Sequence, residues 1–206
     1  MIQTVTAPGA LVDELLPVYD VSDAVAVTVH ADPAATWTAL MAADLVEVGR
    51  RKPLIGALGA LRALPELATH LLHGESPPAA PPRLRLRDLA DLPRSAGGWT
   101  LLAERPGEEI ALGLVGRFWR PVIEYADVPA PAFTAFSEPG WAKTVYDLSV
   151  RPLDDGRTLL AGVMRTATTD ECARRWFGRY WTLGVGSGAH VLVGGLLAAV
   201  AEDATR

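Results

Sequence analysis

Apolar and polar positions along this chain change their period several times, and each change marks an element. From Asp23 to Ala31, DAVAVTVHA alternates valine with smaller or polar residues, the period-two pattern of a strand. At Asp32 the period lengthens. Trp37, Leu40 and Met41 fall on one face at helical spacing, Asp32 suits the N-cap and Pro33 the first helical position. Residues 53–73 repeat leucine every three or four positions (Leu54, Leu58, Leu61, Leu64), with Pro65 breaking or restarting the helix. GESPPAAPP, residues 74–82, is a stiff proline-rich loop, too early in the chain to separate two cores.

The period then returns to two. RLRLRDL (83–89) alternates but is strongly basic, which predicts an edge strand or a solvated loop. GWTLLAERP (98–106) and EEIALGLVGRFW (108–119) flank Pro106-Gly107 and predict a hairpin. AFTAFSEP (132–139) reads as a short strand. GWAKTVYDLSVRP (140–152) and GRTLLAGVMRTATT (156–169) flank LDDG and predict a second hairpin. Residues 170–202 read as helix apart from a glycine run at 184–188.

Strands grouped together, with helices segregated from them, predict an α+β fold rather than a parallel α/β sheet. One long terminal helix across an antiparallel sheet leaves a space between them. Gly113, Gly116, Ala142 and Gly162 sit on strands that would face it, and strand glycine often marks a bend or a close approach. Residues 1–20 read as an irregular lead-in with a short helix near 10–16, and 21–206 as one domain.

Composition narrows the function. The chain has 206 residues, half of them apolar, and a formal net charge of -5. That length suits a single core, and that charge excludes a general nucleic-acid binder, which needs a basic surface. A single cysteine, Cys172, excludes an internal disulfide or a thiolate cluster, and the N-terminus lacks a basic n-region, so a reducing cytoplasm is expected. His70 and His73 stand at i, i+3 without a third ligand, so no metal is expected, and no cofactor. TLGVGSGAHVLVGGLLAAVA (182–201) carries no formal charge over a length that spans a bilayer. Five glycines, His190 and the arginines upstream (Arg174, Arg175, Arg179) favour a buried terminal helix instead. GVGSGA (184–189) lacks the preceding strand of a dinucleotide fold, and Ser187 is not in a nucleophile elbow.

The phrases VTVHADPAATWTAL, GLVGRFWRP, FTAFSEPGWAKTVYDLSV and TTDECARRWFGRYWTLGVGSG resemble the START/Bet v1-like (SRPBCC) superfamily, in particular a bacterial branch of it, over residues 21–202. That superfamily includes polyketide cyclases, aromatase/cyclases and lipid-transfer domains. The resemblance implies a helix-grip fold, with a curved antiparallel sheet around a long C-terminal helix and a deep apolar pocket. It supplies no catalytic motif, because the fold hosts many activities.

Candidate polar contacts follow from residue chemistry. Arg117 and Arg120 bracket Phe118-Trp119 and would either hold a carboxylate or enol or mark a strand end; alternation puts Arg117 and Trp119 on the face of Ala111, Gly113 and Val115. Tyr146 shares a face with Ala142, Thr144, Leu148 and Val150, and its hydroxyl needs a ligand or backbone partner. Arg165, in a half-buried strand, is either a pocket cation or half of a salt bridge. Trp119, Trp141 and Trp181 are expected as walls. No catalytic residue is identified; Arg165, Tyr146 and His190 are candidates, with Glu104 and Glu138 as further acids. The expected function is binding of a hydrophobic or aromatic small molecule, with cyclase or dehydratase turnover as one form and a non-catalytic carrier or sensor as another. A membrane- or protein-interaction role for the uncharged segment is the third reading. Neither nucleic acid nor membrane is expected as a partner; a homodimer is compatible.

Overall fold

A computed structural model describes residues 9–53, 56–57, 82–92 and 98–206. Most of the helix expected over 53–73, and the proline-rich loop after it up to residue 81, lie outside the described residues. The rest is α+β. Five strands, β1 (Val21–Val29), β2 (Thr100–Arg105), β3 (Glu109–Gly116), β4 (Ala142–Pro152) and β5 (Thr158–Thr168), form one antiparallel sheet in the order β1-β5-β4-β3-β2.

The helices are α1 (Leu11–Leu15), α2 (Pro33–Ala42), α3 (Leu45–Arg51), α4 (Ala130–Phe133), α5 (Glu171–Tyr180) and α6 (Gly186–Ala204). A π-helical turn, Trp181–Val185, joins α5 to α6. Inside it Gly184 has φ of 104°, a left-handed conformation that costs glycine little. Asp32 caps α2 by accepting from the Ala35 amide at 2.8 Å, and Asp170 caps α5 from the Ala173 amide at 2.7 Å.

Both hairpins form where the turn residues place them. Gly107 (φ 85°) closes β2–β3 and Gly156 (φ 79°) closes β4–β5. The strand expected over 132–139 is absent, and residues 83–89, expected as an edge strand or a solvated loop, form no strand. Residues 87–91 form a 3-10 turn, consistent with the basic character of that stretch, and residues 130–133 a single helical turn started by Pro129 and Pro131. Strand β3 ends at Gly116, so Arg117–Arg120 is a turn rather than the strand's continuation.

Alternation gives the sheet two covered faces. Val25, Val27, Val29, Leu112, Leu148, Val150 and Leu160 pack against Leu197 and Val200 of α6 and Leu40 of α2; this is the helix face. Ala111, Val115, Val145 and Val163 point the other way, against Leu11, Val12 and Leu16 of the α1 segment and Phe133 of α4; this is the back face. The stretch expected as a lead-in is therefore built into the core, with Val12 fully buried.

The small strand residues do not leave the hollow they suggested. A Cβ on Gly162 would lie 2.8 Å from Val193 Cγ1, so α6 packs directly on that position. Gly116 is filled by Phe118, with 2.8 Å to its ring. Gly113 opens onto the back face, where Leu102 and Phe133 fill it.

Candidate functional site

The sheet divides the sequence-chosen residues by face. Arg117, Trp141 and Arg165 lie on the back-face side; Tyr146, Trp119, Trp181 and His190 lie on the helix-face side. They do not form one site.

On the back, Arg117 spends its donors within the protein. Its Nε donates to the Gly140 carbonyl at 3.1 Å, its Nη1 pairs with Glu124 Oε2 at 2.7 Å, and the guanidinium stacks 4.4 Å from the Trp141 ring. Arg120 pairs with the same Glu124. The two arginines that bracket Phe118-Trp119 therefore clasp one acid and close the loop 117–124, as a strand-end role requires. Trp119 leaves the face of Ala111 and Val115 and joins Phe118, Ala142 and Phe177 on the other side, because the strand stops before it.

Arg165 is 4% exposed and grips the α1 segment. Its Nη2 pairs with Asp13 at 2.6 Å, its Nη1 donates to the Val12 and Leu16 carbonyls at 3.4 and 3.3 Å, and Tyr19 stacks 4.4 Å from its guanidinium. This is the salt-bridge reading of Arg165, with Asp13 as its acid. No cation from β5 reaches the helix face.

The helix face carries the candidate site. Phe177 stacks on Trp181 at 5.9 Å and lies 6.3 Å from Phe118 and 6.0 Å from Tyr180, so the aromatic stripe of α5 turns inward, with only Trp176 half exposed. Gly186 allows Trp181 to fold back over the helix: a Cβ there would meet the indole at 2.6 Å. An open cleft of about 380 Å³ lies over this turn, lined by Ser22, Asp23, Trp181, Thr182, Gly184, Gly186, Ser187 and His190.

Across its mouth His190 Nδ1 lies 3.0 Å from both carboxylate oxygens of Asp23. That contact fixes the ring and leaves Nε2 for a ligand. Asp23 pairs across the sheet with Met164, and Met164 with Tyr146, so the acid and the phenol stand in one transverse row. Tyr146 packs edge-on to Trp99 at 5.2 Å. Burial, the charge of Asp23 and the neighbouring Tyr180 hold its phenol well above the usual tyrosine range. Tyr146 is thus a neutral donor and not a base, and no hydrogen bond reaches its hydroxyl from the described residues. Beside it the Thr144 and Thr166 hydroxyls bond each other at 2.8 Å.

Sequence reasoning passed over Asp23 and Trp99. The signal for Asp23 was present: it is the one acid on the otherwise valine face Val21, Val25, Val27, Val29. Glu104 and Glu138 do not line this cleft. A larger groove, about 470 Å³, runs between α2, α3 and the end of α6, but alanines and the Arg51–Asp203 ion pair line it, without an aromatic ring. No family model, curated protein or solved structure matches this chain.

Proposed function

We propose that this protein binds a small aromatic or otherwise apolar molecule between the sheet and its C-terminal helix, in a helix-grip arrangement of the START/Bet v1-like kind. The observation that carries the reading is Tyr146. A half-buried phenol beside Trp99 and near Tyr180, with no hydrogen-bond partner among the described residues, is a donor open to an acceptor. A ligand carbonyl or phenol seated on these rings supplies one. The polar cleft of Asp23, Thr182, Ser187 and His190 opens on the same face of the sheet, although Tyr146 and Trp99 do not line it.

Within this reading the chain is a carrier or sensor unless the pair at the mouth works on the ligand. His190, oriented by Asp23, would accept a proton and Tyr146 would polarise a carbonyl, the parts a cyclase or dehydratase needs. Native mass spectrometry of the purified chain, followed by displacement of an environment-sensitive dye, tests binding. A co-purified organic molecule, or displacement by planar aromatic compounds that Tyr146→Phe weakens, supports it. A chain that neither carries a guest nor takes up the dye refutes it.

A second reading has its own observation. The long apolar helix running from Glu171 to Ala204 is only 17% buried across its most apolar window, and Leu183 and Leu192 are exposed. Such a surface suits a membrane or a second protein chain, a homodimer included. Sedimentation without detergent separates the two readings.

A further inference from the structure

The back face holds a buried polar cluster that the cleft does not use. Glu109 is 0% exposed, Asp147 3% and Arg165 4%, and all three point at the same five-residue helix. Helix α1 has no side-chain N-cap of its own, because Ala10 stands at that position. Its first amides go to the sheet instead. The Leu11 amide donates to Glu109 Oε1 at 2.9 Å, and the Val12 amide lies toward the Asp147 carboxyl. At its other end Arg165 takes the carbonyls of Val12 and Leu16 and the Asp13 carboxylate. Carboxyls at the amide end and a cation at the carbonyl end match the helix dipole. A one-turn helix cannot hold itself together in water, so this receptor is what makes α1 a helix.

The receptor has an unusual core. Glu109 and Asp147 are diagonal neighbours on the same face of β3 and β4, since Glu109 pairs with Ser149 and Ala111 with Asp147. Arg105 Nη1 binds Glu109 Oε2 at 2.8 Å and also the Gly9 carbonyl at 2.7 Å; Arg151 lies 3.6 Å from the same Glu109 oxygen. Asp147 Oδ1 is buried with no donor. Two ionised carboxylates side by side in this place would repel each other without water. One proton between them removes the repulsion and supplies the missing donor.

We propose that the back face is a docking site for a one-turn helical segment, filled here by the chain's own residues 10–16, and that a proton shared by Glu109 and Asp147 is required to keep it filled. Arg105, Arg151 and Arg165 from the sheet, and Asp13 and Glu14 from the segment, are the other charges facing the pair. Burial under α1, then the nearby Glu109, push the Asp147 carboxyl up to about 8. The same burial makes release favourable once the proton is lost, because an undocked segment lets water reach both carboxylates.

Hydrogen exchange on the full chain tests this, with protection corrected for base-catalysed exchange. Amides of Leu11 to Leu16 are expected to lose protection by up to about tenfold per pH unit between about pH 5 and pH 8 and to level off above about pH 8, as release linked to one proton requires. Amides of Leu148 and Leu160 in the sheet should hold over the same range. Asp147→Asn, which keeps a donor toward Glu109 without a charge, should flatten the response of the segment. The proposal is overturned if the wild-type segment shows no such slope, if it opens only together with the sheet, or if Asp147→Asn shows the wild-type slope. Should that variant not fold, the wild-type series with its sheet amides still decides.

Discussion

Tyr146 and Arg165 sit on adjacent strands yet serve opposite sides of the molecule. Tyr146 pairs with Met164 and faces α6; Arg165 pairs with Val145 and faces α1. The residue expected to bind a ligand's anion therefore binds the N-terminal segment, and only the phenol remains on the ligand side.

Removing the Arg165 side chain should destabilise the fold without touching the cleft. Arg165→Ala loses an ion pair, two carbonyl bonds and the Tyr19 stack. Asp13, 38% exposed, is left able to reach water, so the loss should fall at or below the low end for a broken buried pair, about 3 kcal/mol. Asp13→Asn strands the buried guanidinium and should cost a similar amount. Urea unfolding measures both, and dye affinity should be unchanged.

Tyr146→Phe should behave in the opposite way. No hydrogen bond from the described residues is lost, so stability should be unchanged within about 0.5 kcal/mol. Dye or ligand affinity should fall by roughly twofold to tenfold, the worth of one neutral hydrogen bond. A variant that unfolds more easily and binds normally would assign the hydroxyl to structure.

The Glu109–Asp147 pair also sets how stability depends on pH. The Asp147 carboxyl is held at about 8 in the folded chain and near its ordinary value of 3.8 when unfolded. Between these values the folded state keeps a proton that the unfolded state releases. The contribution is complete below about pH 4, shrinks as pH rises toward 8 and is gone above it, with a slope of at most ~1.4 kcal/mol per pH unit. Asp147→Asn should remove that component from urea midpoints measured between pH 5 and pH 8.

Gly162→Ala should show how tightly α6 lies on the sheet. The added methyl would stand 2.8 Å from Val193 Cγ1 and 3.2 Å from Leu148 Cδ2, an overpacking worth about 1–3 kcal/mol. Adding Val193→Ala should recover much of that loss, and the double-mutant cycle would give a coupling near 1 kcal/mol.

Much of this fold was legible because its punctuation is strong. Pro106-Gly107 and the Leu153–Gly156 turn fixed two hairpins, and Asp32-Pro33 fixed the start of α2. Facing was harder. The turn after β4 decides whether Arg165 aligns with Val145 or Tyr146, and a slip of one residue reverses every side chain on the strand. Trp119 was misplaced for a related reason: alternation was carried past Gly116, where pairing ends. Residues 132–139 alternate well enough for a strand, but Pro129 and Pro131 set a helical turn before any partner strand is reached. At the site, His190 was visible as a titratable group, whereas its tie to Asp23 depends on the break at Gly184 and on how α6 crosses β1. The role of Glu109 and Asp147 was not visible at all, since neither residue has a purpose until α1 lies over it.

Because α1 and α6 cover opposite faces, the first and last helices among the described residues are stationed on opposite sides of one sheet. A tether coupled through the α1 side holds the protein by its back and leaves the His190 cleft turned toward the medium. Surface-immobilised binding assays should therefore anchor the protein through the α1 side, on the face away from the cleft.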